Sequence, residues 1–306
     1  MSADNNLPKV GIVGVGRMGA NMARRLADCG YSISGLYDVN PNSANTLATQ
    51  LNTQAFECLA KLTQTSDVIL TVVSDDAAME AIYHHPDDNL FQHAQGKTFI
   101  NFATITPQVH IDLMQVAKSL NAAMIEAPMA SSIPQAREGT LFLMVAGDYD
   151  TIQANTALLS VLSKEFIYTG PAGSAAKIKA LVNMVMNMNT AALAEGLGLA
   201  QALDLDLGLV QTIFAKTGAN SRVLETDAED MMKRDHDAYF SAAHAAKDSG
   251  IALKLGESQQ LEMVLAKATY QQYQRLTDLG LGHLDKSGIA ELTFKARMPK
   301  AVQKRI

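Results

Sequence analysis

Residues 177–189, KIKALVNMVMNMN, set polar groups into an otherwise apolar run. Lys179, Asn183 and Asn187 are spaced four apart, so on a helix they share one face. Met186 and Thr190 fall on that face too, and Lys177 lies on nearly the opposite side. A lysine whose ammonium is destabilised by desolvation can give or take a proton near neutral pH. An amide one turn later can orient a substrate, or the lysine itself, without adding charge. The plainer alternative is that Lys179 snorkels to water while the amides bond locally. These residues alone leave both open.

A second constellation lies near the start. GVGRMG places Gly14, Gly16 and Gly19 in GxGxxG spacing, directly after the strand-like VGIV and at the opening of a helical pattern. The first glycine allows a tight turn and the second lets backbone approach a pyrophosphate. The third permits close packing of helix on strand, and the helix N-terminus offers unpaired amides and a positive dipole end. Asp38 ends the next strand-like run about twenty residues on, where a carboxylate accepts hydrogen bonds from ribose hydroxyls. That carboxylate repels a 2′-phosphate, and the following VNPN supplies no Arg or Lys to neutralise one. NAD is therefore favoured over NADP, with NADP left open.

The elements that must hold these residues follow from pattern. KVGIVGV, SISGLYD, VILTVV, TFINFA, AAMIEAP and LFLMVAG each read as a strand, several of them apolar without alternation. Parallel strands buried on both faces read this way, with helices between them. Residues 1–168 are thus expected to form a Rossmann-type, doubly wound α/β domain with a parallel sheet. GPAG is a turn, and one long helix runs from about 175 to 203. Residues 169–306, beginning with that helix, are expected to be all-α. In 261–280, Leu261, Leu265, Ala268, Tyr273, Leu276 and Leu279 approximate one apolar stripe.

Composition closes off other classes. The 306 residues carry a net charge of −6, which gives no footprint for nucleic acid or an anionic membrane. The basic end KARMPKAVQKRI reads as a solvated tail. Cys29 and Cys58 stand alone, without the spacing of a metal site, and no metal is expected. MSADNNLPKV lacks a signal peptide's apolar core, and three Asn and Glu195 interrupt the apolar stretch 180–203. A cytoplasmic protein is expected. Met184, Met186 and Met188 read as packing residues, and His84, His85 and His236 receive no catalytic role.

From about Val10 to Leu292 the chain resembles the β-hydroxyacid dehydrogenases, which include 3-hydroxyisobutyrate dehydrogenase and glyoxylate/succinic semialdehyde reductase. GIVGVGRMGANMARRLADCGYSISGLYDVNP looks like the family's N-terminal signature. NFATITP is similar to its DxST segment, and EAPMASSIPQAREGTLFLMVAGD to the substrate segment that usually begins DAPVSGG. GPAGSAAKIKALVNM resembles GxGxxxKxxxN, KDSGIAL matches KDxxxA, and HLDKSGI is similar to the closing D-x-S element. The resemblance implies Lys179 and Asn183 as catalytic residues, on a helix that walls the cleft between two domains. It implies cofactor contacts at Gly14, Gly16, Arg17, Met18, Gly19, Asp38, Val73, Ser74, Thr104 and Lys247, with Asp248 in support. Substrate would meet Ala130, Ser131, Ser132, Lys179 and Asn183. Homodimers or homotetramers are implied as well.

Two departures bear on substrate. Ala130, Ser131 and Ser132 stand where the family usually has Ser-Gly-Gly, and Ala175 replaces the second glycine of GxG. An acid head group other than a simple carboxylate fits such a change, as in relatives that reduce sulfonated aldehydes. Imine reductases share the architecture but usually place Asp or Tyr at the Lys179 position. A dinucleotide sensor or scaffold without catalysis is the rival of another class, and the retention of Lys179, Asn183 and Lys247 speaks against it.

Overall fold

The computed structural model describes residues 7–295 and residue 297. The chain divides into two compact units, residues 1–179 and 180–306. In the first, the order is β1 (Val10–Val13), α1 (Arg17–Asp28), β2 (Ile33–Tyr37), α2 (Pro41–Leu51), α3 (Leu59–Thr65) and β3 (Val68–Thr71). There follow α4 (Asp76–His84), β4 (Thr98–Asn101), α5 (Pro107–Ser119), β5 (Ala123–Glu126) and α6 (Ile133–Glu138). Strand β6 (Leu141–Gly147), α7 (Tyr149–Ala154), α8 (Thr156–Leu162) and β7 (Ser163–Gly170) complete the sheet.

The sheet order is β2-β1-β3-β4-β5-β6-β7, and β1 to β5 are parallel. Apolar side chains leave both faces of these strands. Val10, Ile12, Val68 and Leu70 enter one core with α1 and α2, while Val13, Ile69 and Phe99 enter the other with α4 and α5. That two-sided burial is why the strands read as continuous apolar runs. The doubly wound, mostly parallel sheet is as expected, and at its far edge β6 runs antiparallel to β5 and carries β7 parallel to itself. The chain turns back after β5: Ala130 N–H donates to the Phe142 carbonyl and Met144 N–H to the Pro128 carbonyl, so the loop itself lies along β6. Strand β7, SKEFIYTG, is an edge strand with charged and half-exposed residues, and its sequence carries no clear strand pattern.

The long helix α9 (Ser174–Ala202) contains the division between the units. The second unit continues with α10 (Leu207–Phe214), α11 (Arg222–Lys233), α12 (Ala242–Ser258) and α13 (Val264–Leu276), then a π-type turn and a 3₁₀ segment, Lys286–Leu292. Its core joins Leu193, Leu197, Leu224, Met231, Ala245, Tyr273 and Phe294. The stripe expected in 261–280 is shifted: Leu261 and Leu265 are exposed, and the inward face of α13 is Ala266, Thr269, Tyr273 and Leu276. Apolarity alone misplaced it, because a small alanine and a threonine pack inward here in place of leucine.

The closing HLDKSGI element is architectural. Asp285 accepts from the N–H groups of Tyr239, Phe240 and Ser287, Lys286 pairs with buried Asp227, and Ser287 bonds His236. Of the basic C-terminal end, residue 296 and residues 298–306 lie outside the described residues. Arg297 is anchored rather than solvated: its guanidinium donates to the Met231 and Met232 carbonyls and lies over the Phe294 ring. Among the described residues no helix is long and apolar enough to cross a membrane, and no group of His, Cys, Asp or Glu could hold a metal ion.

Candidate active site

The residues expected to hold a dinucleotide follow the carboxyl ends of the parallel strands. Gly14 follows β1, Asp38 follows β2, Val73 and Ser74 follow β3, and Thr104 follows β4. Between β1 and β3 the strand order reverses, which is where open α/β sheets bind ligands. The loop Ala130–Ser132 follows β5 at the same end.

The three glycines differ in what surrounds them. Gly14 has φ +86°, and a Cβ there would collide with the Val72 carbonyl. A Cβ on Gly19 would collide with the Gly14 carbonyl, so helix and turn touch backbone to backbone. A Cβ on Gly16 would meet nothing within 4 Å. One glycine is required by the turn, one by packing, and one leaves a clear approach beside α1. Gly16 is the N-cap of α1 and offers no side-chain oxygen to its amides, so the first turn keeps donors for an anion. Arg17 opens that turn at the surface, and Met18 packs on the core below it. The Asp38 carboxylate accepts from Val15 N–H at 2.8 Å and from Asn40 N–H at 2.8 Å, tying the glycine loop to the end of β2. Each of its oxygens retains acceptor capacity for a ribose hydroxyl. These features fit a nicotinamide dinucleotide.

Val73 is half-buried against the core under α4. Ser74 donates to Asp75, the N-cap of α4, at 2.7 Å. Asn101, at the end of β4, accepts from Ala103 N–H at 3.1 Å and shapes the turn leading to half-buried Thr104. In the loop after β5 both serine hydroxyls have partners. Ser131 Oγ accepts from Phe142 N–H at 2.9 Å, while Ser132 Oγ donates to Gln135 Oε1 at 2.5 Å as part of a capping box on α6. Ser132 has thereby spent its proton locally, whereas Ser131 retains its own to donate.

On α9 the exposure alternates as helical spacing requires. Lys177 and Ile178 are exposed, and Lys179, Asn183, Asn187 and Thr190 are buried. Lys179 is 8% exposed, so it does not reach freely into water. In the second unit each polar residue lower on this face donates to a partner on a neighbouring helix. Asn183 donates to Asp248 Oδ2 at 2.6 Å, Asn187 donates to Ser249 and to the Ala245 carbonyl, and Thr190 to Asp227. Asp248 also pairs with Lys247 at 2.8 Å, so one buried carboxylate on α12 holds both Asn183 and Lys247.

Residues 9–170 match the NAD-binding domain of 6-phosphogluconate dehydrogenase. Residues 173–293 match the family described as NAD-binding of NADP-dependent 3-hydroxyisobutyrate dehydrogenase. The chain belongs to the β-hydroxyacid dehydrogenase family. Among relatives, it is 25% identical over 283 residues to glyoxylate/succinic semialdehyde reductase 1 of Arabidopsis thaliana, covering 92% of this chain and 97% of that one. It is 27% identical over 306 residues to mitochondrial 3-hydroxyisobutyrate dehydrogenase of Drosophila melanogaster, covering 97% and 93%. The Mycobacterium tuberculosis 3-hydroxyisobutyrate dehydrogenase structure, with L-serine, superposes with a TM-score of 0.84 at 23% identity, covering 93% and 98%, and speaks for the fold. Membership of the β-hydroxyacid dehydrogenases brings oxidoreduction with a nicotinamide dinucleotide as the reaction class.

One ionisable residue in this β-hydroxyacid dehydrogenase escapes sequence reasoning. Glu126, the last residue of β5, is fully buried, and burial pushes its carboxyl up to about 7 against the opposing effect of two backbone N–H bonds. Between pH 4.5 and 7 the native state holds this proton more tightly than the unfolded chain, so stability falls as pH rises through that window. At 1.36 kcal/mol per pH unit the loss is roughly 3 kcal/mol. Urea unfolding of wild type and Glu126→Gln across the window checks this. The variant should gain on wild type by about that amount; a constant difference between the two would contradict it.

Proposed function

We propose that this β-hydroxyacid dehydrogenase interconverts a small 3-hydroxy acid and its semialdehyde, with Lys179 as general acid and base. The observation that carries the reading is the contrast on one helix: Lys177 is exposed, while Lys179 is buried one turn ahead of Asn183. A buried lysine that serves no purpose is costly to keep, because desolvation opposes its charge. When bound, a nicotinamide dinucleotide supplies or accepts the hydride. In reduction, the Lys179 ammonium donates a proton to the carbonyl oxygen as negative charge develops there. In oxidation, its neutral amine removes the hydroxyl proton. Asn183, fixed by Asp248, holds the substrate oxygen or Lys179 in line.

Asp38 favours NAD over NADP, since its carboxylate stands at the end of β2 and residues 39–42 bring no cation. Ser131 is the residue in the Ala130–Ser132 loop with a proton to offer an anionic head group, and Ala130 adds no donor of its own side chain. The exposed apolar face of α9, with Leu181 and Val185 about half accessible, supports a homodimer or homotetramer. Light scattering of the purified protein checks the assembly, and a monomer would refute it.

Initial rates with NADH and a panel of semialdehydes test the reaction. Carboxylate, sulfonate and phosphonate head groups should be compared, together with the reverse reaction on 3-hydroxy acids and a repeat with NADPH. Turnover on one head group, with NADH preferred, is the expected result. Preference for NADPH would overturn the reading of Asp38. Bound NADH without turnover on any member would favour the sensor alternative.

A further inference from the structure

We propose that Glu126 is a positioning residue that fixes the helix turn beneath Lys179 to the strand end that opens into the substrate loop. The inference rests on the role given to Lys179 above. Glu126 Oε2 accepts from Gly173 N–H at 2.7 Å, and its other oxygen accepts from Ala176 N–H. Both donors belong to the start of α9, where amides have no partner inside the helix. Ala176 lies three residues before Lys179, on the same side of the helix, and helical side chains lean back over the preceding turn. The ionised carboxylate therefore sits under the turn that the Lys179 stem covers.

The other end of the link is equally fixed. Strand β5 aligns Glu126 with Asn101 of β4 and Ala146 of β6, and Ala127 N–H donates to the Asn101 carbonyl. Three residues beyond Ala127 the chain enters Ala130–Ser132. One side chain thus spans the root of the substrate loop and the first turn of the lysine helix. A neutral acceptor would cap that turn without the expense of burying charge. Glu126 has no charged hydrogen-bond partner among the described residues, so its carboxylate serves something other than stability.

Protonation weakens the link, because a carboxylic acid turns one of its acceptor oxygens into a donor. Among the groups on elements packed against β5, Lys177 of α9 favours the ionised form. His110 of α5 is held neutral, its pKa lowered by burial to about 3. Tyr149 and Asp150 of α7 are exposed, and β4 and β6 contribute no titratable side chain.

The test compares wild type, Glu126→Gln and Glu126→Asp as full chains. NADH fluorescence first shows that each retains the cofactor site. Reductive methylation, read by peptide mass spectrometry between about pH 5.5 and 8.5, then reports Lys179 and the exposed Lys61 of α3 separately. In Glu126→Gln the labelling of Lys179 should change by about threefold or more above pH 7 and lose its inflection there, while Lys61, on an element not packed against β5, is unchanged. Glu126→Asp, too short to reach both amides, should fall between the two. On whichever substrate the panel identifies, kcat should drop about 10- to 100-fold with KM for NADH within about twofold. Identical Lys179 labelling in all three proteins overturns the proposal, whatever turnover does. Altered Lys179 labelling in a protein that turns over nothing supports the link and counts instead against the reading of the reaction.

Discussion

Replacing Lys179 by alanine should lower turnover by about 10³- to 10⁴-fold and leave NADH affinity nearly unchanged. The split follows from placement. The dinucleotide is to be held by the glycine loop after β1 and by Asp38 after β2, whereas Lys179 belongs to α9, so binding should survive its loss. The proton transfer has no second candidate on the buried face of α9: Asn183, Asn187 and Thr190 do not titrate. Truncation also removes a side chain whose burial opposes its charge, so folding should not suffer in proportion. Steady-state rates and a fluorescence titration on the same preparation check both halves. Turnover within tenfold of wild type would remove Lys179 from the mechanism.

The second large effect is expected at Gly16. A valine there should weaken NADH binding by about 100-fold or more while moving the unfolding midpoint by only about 2 °C. Its φ of −62° and ψ of −169° suit any residue, and a Cβ meets no protein atom, so the folded chain tolerates the change. What a side chain would fill is the approach to the α1 amides. Gly19→Val is the contrast, since its Cβ collides with the Gly14 carbonyl and the fold itself must yield. If Gly16→Val binds NADH as wild type does, the cofactor does not approach the loop as the spacing implies.

Much of this site is legible in the sequence because its parts carry period or context. The GxGxxG spacing sits between a strand and a helix, Asp38 ends the following strand, and the Lys179–Asn183–Asn187 face declares itself by fours. Other parts have no such signal. Strand β7 mixes Lys164 and Glu165 with Phe166 and Tyr168, as an edge strand can, and the reversal into β6 depends on loop hydrogen bonds between Ala130 and Phe142. Leu261 and Leu265 look like core and lie outside it. Glu126 opens the EAPMASS segment, but nothing in its spacing tells what its carboxylate binds. Only the fold, which carries the chain from β5 through β6 and β7 and back to Gly173, puts its carboxylate on the amides of α9. Likewise, the two hydroxyls of Ser131 and Ser132 look equivalent until their partners are seen, and then one proton is committed and the other is not.

Hydride transfer assisted by this chain can be followed by isotope transfer. The protein would be incubated with NADH carrying deuterium at the transferable position and with the semialdehyde panel, and the products read by mass spectrometry. Deuterium is expected on the carbinol carbon of one acid-bearing alcohol, and none when Lys179→Ala is used for the same time. Bound NADH with no label in any product would contradict it and leave the fold as a dinucleotide-binding module without this chemistry.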